Sequence, residues 1–205
     1  RDEGRGKLGG HVQPGADATT RVLVDASFDK GDALMHRFDV MHGVEVTVVS
    51  GNLVMAKPLG VRNGIDYDRS GEVRRVRSQA IESLLDRGAL VALPPLGFSS
   101  TGEVFDLNAS DVAQHAAIAL KADKLILLGE ADGLHDVSGQ LQRQLTPAEA
   151  EPLLRDAEPG SELARHLSAA CEAARHGVGR THLLSWHDHD ALLILYHEPH
   201  VVQLH

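Results

Sequence analysis

Two short apolar runs constrain the fold of this chain more than any other feature. Residues 89–93 (ALVAL) are halted by Pro94 and Pro95, and residues 124–128 (KLILL) break at Gly129. Runs this short, apolar at nearly every position, read as strands buried on both faces, and such strands need cover on both sides. Helical patterns stand between and after them. Ser78 is the expected cap of a helix holding Ile81, Leu84 and Leu85 and ending at Gly88. Ser110 is the expected cap of a helix through Ala113, Ala116, Ala117 and Leu120. Thr146 followed by Pro147 starts a third helix, and residues 162–176 predict a fourth that stops at Gly177. Strands are expected at 44–49, ending in the Ser50, Gly51, Asn52 turn, and at 53–58, 72–76 and 181–184. Helices alternating with buried strands predict one α/β domain with a mainly parallel sheet.

Residues 1–20 are polar and glycine-rich, so they are expected to bury little and to be mobile. Val22, Leu23 and Val24 fit a short strand, and the rest up to Val40 follows no clear period. Composition narrows the class. Hydrophobic residues make up 42% and aromatics only 3%, so the core must be built of Leu, Val, Ile and Ala. A net charge of -9 speaks against unaided binding to nucleic acid or an anionic membrane. The single cysteine, Cys171, excludes an internal disulfide and fits a reducing cytoplasm. No apolar run approaches the roughly 20 residues that span a bilayer.

The most specific signal is an ordered string: VVSGNLVMAKPLGV at 48–61, then GIDYDRSGEVRRV at 64–76. It continues as LPPLGFSSTGEVF at 93–105, LNASDVA at 107–113, ALKADKL at 119–125 and HGVGRTHLLS at 176–185. This string resembles the bacterial N-acetylglutamate synthases, whose segment reads roughly VVSGNFxxAxPxGVxDGVDxxxTGxVRR. The resemblance runs from about residue 43 to 193. It leaves 1–42 as a poorly patterned segment and 194–205 as a divergent tail, so that the chain reads as truncated or frame-shifted at its ends. It implies the amino-acid kinase fold, a three-layer α/β/α sandwich shared with acetylglutamate kinase. In the whole synthase this domain precedes an acetyltransferase domain that uses acetyl-CoA. The kinase-like domain carries an L-arginine effector site and helps build a homo-oligomer. The expected function is therefore regulatory and oligomerising, without catalysis by this chain alone and without a cofactor of its own. The alternatives are an ATP-dependent acetylglutamate kinase and a gene fragment without function.

Candidate residues follow from both lines of reasoning. Phosphoryl transfer needs a phosphate cradle and cations aimed at the transferred group. Lys7-Leu8-Gly9-Gly10 matches the Lys-x-Gly-Gly letters, but no apolar strand precedes it and Pro14-Gly15 follows. The family's Asn-x-Asn-Ala-Asp motif corresponds to Asp106, Leu107, Asn108, Ala109, Ser110 and Asp111, with the acid one residue late. Asn108, Ser110 and Asp111 remain ligand-side candidates, yet they also make a good helix start. The kinase lysine position holds His166, which is mostly neutral at pH 7. Gly51, Asn52 and Arg74 are further ligand-side candidates; Arg74, Arg75 and Arg77 also fit a solvated strand end. Residues 130–134 lie past a buried strand, where open α/β sheets place ligands.

For arginine, Leu195 stands about where the family's glutamate belongs, and Glu198 is offset from it. The letters Arg1 to Gly6 fit an acetyl-CoA loop without the strand and helix it needs. His182, His187, Asp188, His189 and Asp190 resemble metal ligands, but a polar loop explains them and no metal is expected. Cys171 is expected to be a buried, inert thiol.

Overall fold

The structure is a computed structural model that describes residues 8–13, 22–25, 46–49, 52–130, 134–135, 141–142, 144–185 and 202–204. In chain order the strands begin with β1 (Leu8–Gln13), β2 (Val22–Asp25), β3 (Val46–Val48) and β4 (Val54–Pro58). They continue with β5 (Val61–Arg62), β6 (Ile65–Asp66), β7 (Gly71–Val76), β8 (Leu90–Leu93), β9 (Leu96–Phe98) and β10 (Val104–Asp106). The last six are β11 (Lys124–Gly129), β12 (Leu134–His135), β13 (Leu141–Gln142), β14 (Gln144–Leu145), β15 (Arg180–Ser185) and β16 (Val202–Leu204). Among the described residues four helices intervene: α1 (Ser78–Leu85), α2 (Ala109–Ala119), α3 (Pro147–Asp156) and α4 (Glu162–Arg175).

Eight strands form the main sheet in the order β14-β16-β15-β11-β1-β2-β8-β3. Four of its seven neighbouring pairs are parallel: β14 with β16, β11 with β15, and β8 with both β2 and β3. β1 runs antiparallel to β11 on one side and to β2 on the other, so it divides two parallel sets. The glycine-rich start of the chain is thus not idle. Residues 8–13 sit in the middle of the sheet, and Leu8, Gly9 and Gly10 belong to a strand, not to a phosphate-binding turn. At the other end, β16 pairs antiparallel with β15, so residues 202–204 also join the sheet.

The two apolar runs behave as their sequence demands. Leu125, Ile126, Leu127 and Leu128 of β11 and Leu90, Val91 and Leu93 of β8 are buried. α2 packs on β1 and β11 and against α4, and α4 packs on β11 and β15, so both helices lie on one face of the sheet. Their inner residues are small: Ala113, Ala116 and Ala117 on α2, Ala170 and Ala173 on α4, all fully buried. Small side chains let two helices and a sheet approach closely while still removing apolar area from water. Cys171 is buried in this layer, where burial pushes its thiol up and leaves it unreactive.

A second sheet of four strands, β10-β9-β4-β7, lies against α2 through β7. Two glycines make it possible. A Cβ on Gly97 would lie 2.5 Å from Ala56 Cβ and 2.7 Å from Leu107 Cδ1; one on Gly71 would lie 2.7 Å from Phe105 Cβ. Two helix caps differ from expectation. Ser78 is the first residue of α1, which has Arg77 before it and no side-chain cap, and α2 is capped by Asn108 instead of Ser110. Thr146 caps α3 as expected. Among the described residues no helix is long and apolar enough to cross a membrane.

Candidate functional site

Because β11 and β15 are parallel and in register from Lys124 opposite Arg180 to Gly129 opposite Ser185, their carboxyl ends open on the same side. The start of α4 meets them there. Between them lies a small cleft of about 20 Å³ walled by Leu127, Leu134, Leu163, Leu183 and Leu184. Its polar side chains are Glu162 and His166, four residues apart and therefore one turn apart on the same helix face.

Gly129 shapes the floor of the cleft. A Cβ added there would meet His166 Nδ1 at 3.0 Å, His166 Cε1 at 3.1 Å and Glu162 Oε2 at 3.3 Å. The missing side chain is what lets the imidazole and the carboxylate sit over the strand end. The next amide along the strand, Glu130 N–H, donates to Glu162 Oε2 at 2.8 Å. Burial pushes the His166 imidazole below its ordinary value; the Glu162 carboxylate opposes that shift and Arg165 adds to it. His166 is therefore neutral at pH 7. The Arg165 guanidinium is tied back to the carbonyl of Gly160, before the helix begins.

The first turn of α2 stands next to this arrangement. Asn108 Oδ1 accepts from the amides of Ser110 at 2.9 Å and Asp111 at 3.4 Å, so its side chain is spent on the cap. Ser110 is buried. Burial pushes the Asp111 carboxyl up, against the pull of His115 and Arg165, and Glu72 adds to the rise. His115 Nδ1 donates to the Asp111 carbonyl at 2.8 Å. The start of α2 thus lies within electrostatic reach of Arg165 on α4 and of Glu72 on β7.

The remaining candidates lie elsewhere. Asn52 is exposed in the turn before β4. Arg74 is exposed at a bulge, since Met55 pairs with Arg75 and Ala56 with Val73, leaving Arg74 between the two pairs. Neither lines the cleft. Glu72 beside it is held by Lys57 at 2.7 Å and Arg62 at 3.0 Å, which keep its carboxyl below the usual range. Gly51, residues 131–133 and the stretch holding His187, Asp188, His189, Asp190, Leu195 and Glu198 lie outside the described residues. His182 is buried in β15, and no group of three metal-ligating side chains occurs among the described residues.

Sequence reasoning found His166 and the strand end but missed Glu162 and Gly129. The available signal was the Glu-x-x-x-His spacing directly after the Ser161 cap. Chemically, the strand end offers a carboxylate and a neutral imidazole where phosphoryl transfer requires cations and free amide donors.

Comparison with known proteins identifies the fold that carries this cleft. The sequence pattern of the amino acid kinase family matches residues 33–185. An amino-acid acetyltransferase from Pseudomonas fluorescens strain Pf-5 is 49% identical over 182 residues, covering 86% of this chain and 42% of that protein. The N-acetylglutamate synthase of Neisseria gonorrhoeae, solved with coenzyme A and L-arginine, superposes with a TM-score of 0.75 at 29% identity. That match covers 87% of this chain and 44% of the synthase. Giardia carbamate kinase shares the fold alone, with a TM-score of 0.63 at 13% identity over 84% of this chain and 67% of the kinase. The chain therefore spans less than half the length of the acetyltransferases it matches. Its fold, its buried strands and the ordered string of residues across its middle lead to one assignment: the chain belongs to the amino acid kinase family.

Proposed function

We propose that this chain is the kinase-like, non-phosphorylating domain of an N-acetylglutamate synthase, serving to bind an effector and to hold an oligomer together. The observation that carries the first half is the Glu162 carboxylate on the Glu130 amide. A phosphate placed at that strand end would compete with a resident anion for the same donor and meet a neutral His166 in place of a cation. The 49% identity to an amino-acid acetyltransferase points the same way. Acetyl-CoA is on this reading a ligand of the rest of the synthase architecture, and this domain holds no cofactor. The effector is L-arginine, as the ligand of the Neisseria synthase suggests.

Two measurements on the purified chain test the reading. Incubation with magnesium ATP and N-acetylglutamate is expected to release no ADP above a protein-free control; steady turnover would make the chain a kinase. Millimolar L-arginine is expected to raise the melting temperature, since a ligand at one hundred times its Kd stabilises the native state by about 2.7 kcal/mol. A cooperative melt that arginine leaves unmoved would remove the effector role and keep only the scaffold.

A further inference from the structure

The side chain that closes the strand end belongs to a helix that does not need it. Ser161 already caps α4, its Oγ accepting the Ala164 amide at 3.1 Å. Glu162, the first residue of the helix, is thereby free to face a different element. Its Oε2 takes the amide of Glu130, 32 positions earlier in the chain, at 2.8 Å. Gly129 keeps the space for this contact, because a Cβ there would stand 3.3 Å from that same oxygen. His166, neutral in its half-buried setting, does not cancel the charge.

We infer that Glu162 is an internal anion: an autoinhibitory contact that occupies the donor at the carboxyl end of β11 and excludes phosphate-class ligands from the cleft. The inference rests on the reading of this domain as non-phosphorylating and says which group makes it so. With the carboxylate gone, the Glu130 amide loses this acceptor beside a cleft that retains its apolar walls. The carboxyl end of a strand in an open α/β sheet is where such folds place their ligands. Charge is the deciding quantity, since two like charges about 4 Å apart near a protein surface repel by several times the thermal energy.

The test uses inorganic phosphate as probe against the wild-type chain, Glu162→Gln and Glu162→Ala, with sodium chloride matching the ionic strength. Binding is read by thermal melts and by phosphorus NMR line width. Wild type is expected to show no melting shift at the phosphate concentrations where Glu162→Ala responds. Glu162→Ala is expected to gain about 3 °C at ten times its Kd, and Glu162→Gln, which keeps the volume and an acceptor for the Glu130 amide, to bind at least about tenfold more tightly than wild type. If Glu162→Ala proves too unstable to melt cooperatively, the Glu162→Gln comparison decides. Variants that melt cooperatively yet ignore phosphate would overturn the inference, as would wild type binding phosphate as well as they do. Either result would withdraw the Glu162 argument, while the non-phosphorylating reading itself is decided separately, by whether wild type turns over ATP.

Discussion

The starts of α3 and α4 use the same materials to opposite ends. Each has a hydroxyl cap, Thr146 or Ser161, and an acid in the first turn, Glu149 or Glu162. In α3 the acid stands at the third helical position. Its carboxylate reaches back to the Thr146 amide and hydroxyl, both at 2.8 Å, while Thr146 Oγ1 accepts the Glu149 amide. That reciprocal box holds the Glu149 carboxyl below its usual range, the Thr146 amide contributing most. In α4 the acid stands at the first position, too early to reach back, and it turns instead to Glu130 on another strand. Two positions along a helix separate a local cap from a tertiary latch. Asp111, at the third position of α2, takes neither course: Asn108 alone caps that helix, and burial raises the acid.

The contrast can be broken most forcefully at Gly129. Gly129→Val would drive a branched side chain into the space of His166 and Glu162, an overpacking cost of about 2–3 kcal/mol, seen as a lower denaturant midpoint. The α3 box, which needs no slot on a neighbouring strand, would keep its amide protection in hydrogen exchange. A smaller effect is expected from Thr146→Ala, which removes the cap and costs about 1 kcal/mol. Its loss of amide protection should stay within the first turn of α3 and leave the cleft unchanged. Protection lost around Gly129 as well would mean that the two starts are coupled.

The smallest effect concerns pH. The folded state holds His166 below its ordinary value of 6.5, so the unfolded chain takes up this proton first. The stability it contributes is complete above that ordinary value and declines as pH falls toward the folded one. His166→Phe should flatten that part of a stability profile measured between neutral and mildly acidic pH. An unchanged profile would place the acid sensitivity elsewhere.

Much of the fold was legible because burial on both faces leaves a plain mark in composition: 89–93 and 124–128 are strands for the reason their letters suggest. The α3 start was legible too, since its box is closed within four residues. β1 was not. Its Gly9, Gly10 and His11 carry no strand signal of their own, and it is a strand because β11 and β2 flank it. β9 and β10 were passed over for a similar reason: Gly97 marks a close approach to Leu107 that only the packed second sheet reveals. At the site, His166 could be found by counting back from Gly177. Glu162 could not, because nothing local says that an acid at a helix start will bond to an amide on another strand.

The position of β1 has a consequence for how the molecule assembles. Among the described strands of the main sheet, β1 alone runs antiparallel to both neighbours, and it is the seam through which β11 and β15 on one side are joined to β2, β8 and β3 on the other. Its partner across the seam comes late in the chain, with Gln13 opposite Lys124. Closing the sheet therefore demands one of the longest loop closures in the chain, and it leaves two half-sheets with open edges until that moment. Whatever weakens the seam would loosen one half-sheet from the other, leaving α2, which packs on β1, β2 and β11, as the bridge between them.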